Sequence, residues 1–187
     1  MTYDLRNVQY ISTTHELPNA TYGSGIYGAM AIDISSMVNT QALGGRPVGL
    51  AVYRTHVDFA SDAAGAPVTV GETGSFRVMV TAKDIGETGD NITGTGVDSL
   101  NCNSALNISG YDWYAPGSGA VGHSGSGGHF LSPSDAVPYV VVRDTIYVIW
   151  QSQGSITADL HISVRLEVAP IKVTTNLMNQ LIRTQSQ

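Results

Sequence analysis

The segment Gly122-His123-Ser124-Gly125-Ser126-Gly127-Gly128-His129 holds the residues best suited to chemistry, two serines between two histidines. A histidine that takes a hydroxyl proton makes a serine nucleophilic, and the Gly-x-Ser-x-Gly elbow exposes such a serine at a strand-to-helix turn. That frame fails here. Around Ser124 the second glycine would fall at residue 126, which is serine, and no helical pattern follows. His123 and His129 could share a metal ion, but no third ligand stands at a diagnostic spacing. The segment therefore reads as a solvated loop, and no catalytic residue is assigned.

Asp84-Ile85-Gly86-Glu87-Thr88-Gly89-Asp90-Asn91 is rich in oxygen ligands and could hold calcium. It lacks the spacing of Asp, Asn, Gly and a terminal Glu that an EF-hand loop requires, so an ordinary exposed loop, running on to Gly96, is expected. No cofactor is expected, because phosphate-loop and dinucleotide fingerprints are absent. His15, His56 and His161 lie singly on or beside strands and read as surface or satisfied histidines. The single cysteine, Cys102, excludes an internal disulfide framework and a Cys-based zinc site, and reads as a small filler with a bond between subunits as the alternative. Asn19, Asn91 and Asn107 begin Asn-x-Ser/Thr sequons, which matter only in an exported chain.

Contact chemistry is better represented than catalysis. Tyr111, Trp113 and Tyr114 flank the glycine-rich loop and could stack on a sugar or a neighbouring subunit, or close the end of their own sandwich. Thr174, Thr175 or Asn176 can cap a short helix with Leu177, Met178, Leu181 and Ile182 on one face. That face would pack on the domain or on a partner, and Leu177 and Leu181 are its candidate contacts. With only Arg183 on the polar side, it is a poor match to an anionic lipid surface.

The elements that position these residues are strands. From Ile156 to Val168 apolar and polar residues alternate without a break, which is the period of a strand with one face in a core and one in water. Tyr139 to Trp150 is nearly continuously apolar, interrupted at Arg143-Asp144, and the turn at Gln151–Gly154 predicts a hairpin between the two. Further strands are expected over residues 3–14, 26–34, 48–59, 68–70, 76–80, 97–100 and 105–113. In the third of these, Val48, Leu50 and Val52 share one parity, while Tyr53, Val57 and Phe59 share the other. A β-bulge, or a strand bending between sheets, accounts for such a switch. The polar faces, with Thr55, Thr157 and Ser163, suit hydrogen-bonded subunit contacts. The fold class expected is all-β, a single jelly-roll or β-sandwich barrel of about eight strands with a short C-terminal helix. One domain over 1–187 is expected, with a flexible Gly/Ser loop at 116–128 and a tail at 174–187.

The chain has 187 residues, 42% of them hydrophobic, and a net charge of −6, which disfavours direct nucleic-acid binding. Lys83 and Lys172 are its only lysines, and scarce lysine with an acid excess points to a high-salt environment. No apolar run is long enough to span a bilayer, and Met1-Thr2-Tyr3-Asp4-Leu5-Arg6 lacks a signal-peptide pattern, so cytoplasmic synthesis or a non-Sec route is expected unless a leader has been removed.

Size, the two lysines, the Val137–Trp150 and Ile156–Val168 strands and the N-terminal Met1-Thr2-Tyr3-Asp4 together resemble a viral capsid jelly roll. More narrowly, the chain is similar to the smaller major capsid protein of haloarchaeal tailless icosahedral viruses with an internal membrane. The resemblance implies a single vertical β-barrel and a structural role without enzymatic activity. It further implies copies of itself and a second, related capsid protein as partners in pseudo-hexameric capsomers, an underlying viral membrane as neighbour, and location in the virion. The alternative is a carbohydrate- or receptor-binding β-sandwich of a viral spike, fibre or adhesin, motivated by the aromatics at Tyr111–Tyr114 and the Asp84–Asp90 loop.

Overall fold

Nine strands and one helix make up the computed structural model, which describes residues 8–17, 27–40, 45–60, 73–86, 88–90, 92, 105–116, 126–134, 136–155 and 159–185. The strands are β1 (Gln9–Leu17), β2 (Tyr27–Asp33), β3 (Val48–Ala60), β4 (Thr73–Thr81), β5 (Asn107–Pro116), β6 (Ser126–Leu131), β7 (Tyr139–Val141), β8 (Thr145–Ser155) and β9 (Leu160–Lys172); α1 (Thr175–Gln185) follows. They form a four-stranded sheet in the order β1-β9-β3-β7 and a five-stranded sheet in the order β2-β8-β4-β5-β6, with every pairing antiparallel. With β6 set aside, successive strands switch sheets at every step except β4 to β5, which are neighbours in one sheet, and this is the strand order of a jelly roll. The fold is therefore all-β, as the alternation predicts.

Alternation dictates the core. On β9, Leu160, Ile162, Val164, Leu166 and Val168 are buried, while His161, Ser163, Arg165 and Glu167 face outward. Each such side chain contributes roughly 1.5–3 kcal/mol on burial. They meet Phe76, Val78 and Val80 of β4 and Ile146, Val148 and Trp150 of β8 in one continuous core between the sheets. Gly28 lies opposite Trp150 in the β2–β8 register, and a methyl group at that glycine would fall inside the indole ring. The absence of a side chain there is what seats the tryptophan.

The parity switch in β3 is a bulge. The register with β9 shifts between Val52 and Arg54, so Val52 points inward and Thr55, Val57 and Phe59 resume the inward face beyond it. Thr55 is thereby buried, which corrects its expected place among outward contacts; the inserted residue reverses every position that follows it.

The expected hairpin is also corrected. β8 runs on through Gln151–Ser155 and pairs with β2 and β4, whereas β9 pairs with β1 and β3 in the facing sheet. Alternation reveals which side chains face the core and is silent about which strand is the neighbour. Likewise Arg143-Asp144 is the crossing point from β7 in one sheet to β8 in the other. Residues 126–128, expected in the Gly/Ser loop, belong to β6 and pair with Asp112, Trp113 and Tyr114. The expected strands at 68–70 and 97–100, together with Cys102, His123, Ile156 and Thr157, lie outside the described residues.

Candidate functional site

Register sorts the three aromatics of β5. Tyr111 and Trp113 face inward, and Trp113 is 4% exposed, with its ring 5.2 Å from Phe59 and 6.0 Å from Phe76. Tyr111 is half-buried between Phe59 and the edge of His129. Of the three, only Tyr114 stands outward, 54% exposed. The spacing i, i+2 shared by residues 111 and 113 puts them on the opposite face from residue 114.

The outer face of the five-stranded sheet is built in rows. In the first, Ala29, Ile149 and Met79 are buried beneath Ile85 and Ile92, and Gly89 exchanges two 2.8 Å backbone hydrogen bonds with Ala29. The described residues of the loop expected to be exposed are thus folded onto the sheet through Ile85 and Ile92. They stand singly among glycine, acidic and threonine residues with no apolar pattern around them, so the sequence carried no sign of their burial. Beside this row, Phe130 lies over Gly110, where a Cβ would collide with its ring.

The second row is polar: Tyr27, Gln151, Arg77 and Asp112 lie in register across four strands. Gln151 Nε2 donates to the Tyr27 hydroxyl at 3.0 Å. Arg77 forks Asp112, with Nε donating to Oδ1 and Nη2 to Oδ2, each at 2.8 Å, and its guanidinium carbon lies 4.7 Å from the centre of the Phe130 ring. In the third row Ser75 pairs with Tyr114. A small side chain beside a large exposed one leaves a groove of about 400 Å³ lined by Ser75, Arg77, Asp112, Tyr114 and Gln151.

In the loop weighed as a calcium site, the two described carboxylates, Asp84 and Asp90, are otherwise engaged. Asp84 accepts from Arg143 Nη2 at 2.9 Å, from the Tyr147 hydroxyl at 3.2 Å and from the Gly86 amide at 3.0 Å. Asp90 bonds His15 Nε2. Among the described residues no group of three or more His, Cys, Asp or Glu side chains is placed to hold a metal ion. His56 Nε2 lies 3.0 Å from Glu167 Oε1, so His15 and His56 each have a carboxylate partner. His129 is pushed below its ordinary pKa by desolvation and then by neighbouring His56, while a backbone hydrogen bond with Gly110 acts the other way.

The outer face of the four-stranded sheet is polar along β1, β9 as far as Glu167 and the second half of β3. Thr14 and Ser163 hydroxyls are 3.0 Å apart, the Arg165 guanidinium lies 5.3 Å from the Tyr10 ring centre, and Arg54 stands opposite Glu167 in the register. At the end of the barrel α1 docks on its own domain. Thr174 caps it, accepting from the Leu177 amide at 3.3 Å. Met178 is buried and Leu181 and Ile182 are half-buried against Val140, Val142 and Val173, while Leu177 remains exposed. No helix among the described residues is long and apolar enough to cross a membrane.

No protein-family model matches the chain, and no curated protein matches it. Among solved structures it is similar to VP1 of the Trichodysplasia spinulosa-associated polyomavirus in complex with sialylated precision glycooligomers. The identity is 9% and the TM-score 0.36, covering 92% of this chain and 97% of that one. It is similar also to the unassembled pentamer of Merkel cell polyomavirus VP1, at 7% identity and a TM-score of 0.39, covering 91% of this chain and 98% of that one. At such distances the class of the protein, an all-β jelly roll, rests on its own strand order.

Proposed function

We propose that this protein is a structural subunit of a virus shell, a major capsid protein that assembles with copies of itself in the virion. The strand order carries the reading. A jelly roll closes its core between two sheets and leaves its outer faces and loop ends for neighbours, and shell domains are a recurrent use of that architecture. The flat polar face of β1, β9 and β3 supports it. Its Thr14 and Ser163 hydroxyls pair with each other and His56 pairs with Glu167, so a neighbour can cover these groups with their partners in place. Leu177, exposed on α1, is assigned to such a contact.

The resemblance adds the finer reading: the smaller of two related capsid proteins in pseudo-hexameric capsomers over an internal membrane, in a virus of a high-salt host, without enzymatic activity. Particles purified from the source culture on a density gradient test it. The expected result is this chain among the most abundant proteins of the particle, together with a second jelly-roll chain of comparable abundance. A scarce or absent band overturns the shell assignment. An abundant band without the second chain overturns the two-protein capsomer.

A further inference from the structure

From the groove on the outer face of the five-stranded sheet we infer a saccharide-binding site, selective for an uncharged pyranose, with Tyr114 as its platform and Asp112 and Gln151 as its polar contacts. Three observations converge on it. Tyr114 is more than half exposed on a strand whose other aromatics are turned into the core, and its partner on β4 is the small Ser75, where the groove opens beside it. A pyranose presents a C–H face of similar size, and such faces pack on aromatic rings through dispersion and shared burial.

The polar groups are held in place before any ligand arrives. Asp112 is fixed by the two-bond fork from Arg77, and Gln151 by its bond to Tyr27. A carboxylate offers about four acceptor positions, and the fork uses one on each oxygen, so each retains capacity for a sugar hydroxyl. Gln151 adds an amide with both donor and acceptor character on β8, across β4 from Asp112. The volume of about 400 Å³ lies within the range of small-molecule sites.

Charge decides the ligand class. Arg77 is already neutralised by Asp112, so an anionic sugar would meet the like charge of that carboxylate, whereas sugar hydroxyls can donate to it. The inference is independent of shell assembly, since the whole groove lies on one subunit.

Saturation-transfer NMR and calorimetric titration of the intact protein test it. The probes are methyl α-mannopyranoside, methyl β-galactopyranoside and methyl β-N-acetylglucosaminide, with methyl glucuronoside as the anionic comparator. Expected is transfer to at least one uncharged probe with Kd on the order of 1 mM. Tyr114→Ala should weaken binding at least about tenfold, since a platform is the main apolar contact. Tyr114→Phe should bind as the parent does, and Tyr10→Ala, an exposed tyrosine on the other sheet, should change nothing. No transfer to any uncharged probe, binding of the glucuronoside alone, or binding that survives Tyr114→Ala overturns the inference.

Discussion

Gln185, the last residue of α1, clasps the edge strand β7 at Val140 with its side-chain amide. Nε2 donates to the Val140 carbonyl at 2.7 Å, and Oε1 accepts from the Val142 amide at 3.1 Å. The side chain thus offers the strand the donor and acceptor that a further strand would offer. The Gln185 carbonyl accepts from Arg143 Nη1 at 2.9 Å, and Arg143 in turn pairs with Asp84. A cation on the last carbonyls of a helix is favourable. A three-residue edge strand is weakly held and open to pairing with other chains, and the helix end closes part of it.

Replacement of Gln185 by alanine should therefore cost more than loss of a surface side chain. It removes two hydrogen bonds and leaves the buried Val142 amide without its partner, a penalty of about 2 kcal/mol. Urea unfolding should show that loss, and hydrogen exchange at Val142 should speed up more than at Val148 in the core. Unchanged protection at Val142 would mean that the clasp is not maintained in solution.

Gly28→Ala tests the seating of Trp150. The added methyl has no room unless the buried indole moves, and the indole also lies 4.9 Å from the ring of His15. Overpacking of this kind costs about 1–3 kcal/mol. The expected outcome is a lower unfolding temperature with a changed near-ultraviolet tryptophan signal. Gly128→Ala is the control, because a methyl there meets nothing within 4 Å. Equal effects of the two would refute the account.

These residues also show where sequence reasoning succeeds and where it stops. The core face of β9, the parity switch in β3 and the capped helix after Thr174 are local patterns, each contained within one element, and all were legible. Partnership was not. Arg77 and Asp112 are 35 residues apart, and His15 and Asp90 are 75 apart; nothing in either segment announces the other. Because β8 and β9 follow closely in sequence, they read as a hairpin, yet they face each other across the core. The groove at Tyr114 could be reached only once the register of β4, β5 and β8 put Ser75, Arg77, Asp112 and Gln151 on one surface. Tyr111 and Trp113 could have been separated from Tyr114 by parity alone.

Tyr139 predicts the alkaline limit of stability. Burial pushes its pKa up to about 12 from an ordinary 10.0, with a hydrogen bond from Gln185 acting the other way, and its hydroxyl donates to the Ala105 carbonyl at 3.1 Å. Above pH 10.0 the unfolded chain loses this proton while the folded chain keeps it, so stability falls until the folded tyrosine also ionises near 12. Tyr139→Phe should lose about 1 kcal/mol at neutral pH, for the missing hydrogen bond. It should then lose less than the parent between pH 10.0 and about 12. Parallel stability curves for the two proteins through that window would contradict the assignment.

His129 sets the opposite limit. Its folded pKa lies below the ordinary 6.5, because desolvation and then His56 disfavour the imidazolium. As pH falls through 6.5 the unfolded chain binds a proton that the folded chain refuses, so the unfolded state is favoured. The loss stops growing once the pH is below the folded value. His56, on β3 of the other sheet and paired with Glu167 of β9, lines a shared surface groove with His129. His129→Gln keeps polarity and removes the titration. Thermal unfolding of the parent and variant, followed from neutral pH to below 6.5, should show the variant losing less stability on acidification. Tyr111, stacked edge-on with His129 at 5.0 Å, is the local reporter: its ring resonances should shift with the histidine titration in the parent and stay still in the variant. A parent whose Tyr111 resonances titrate above 6.5 would place the histidine in a charged rather than a desolvated setting and overturn the argument.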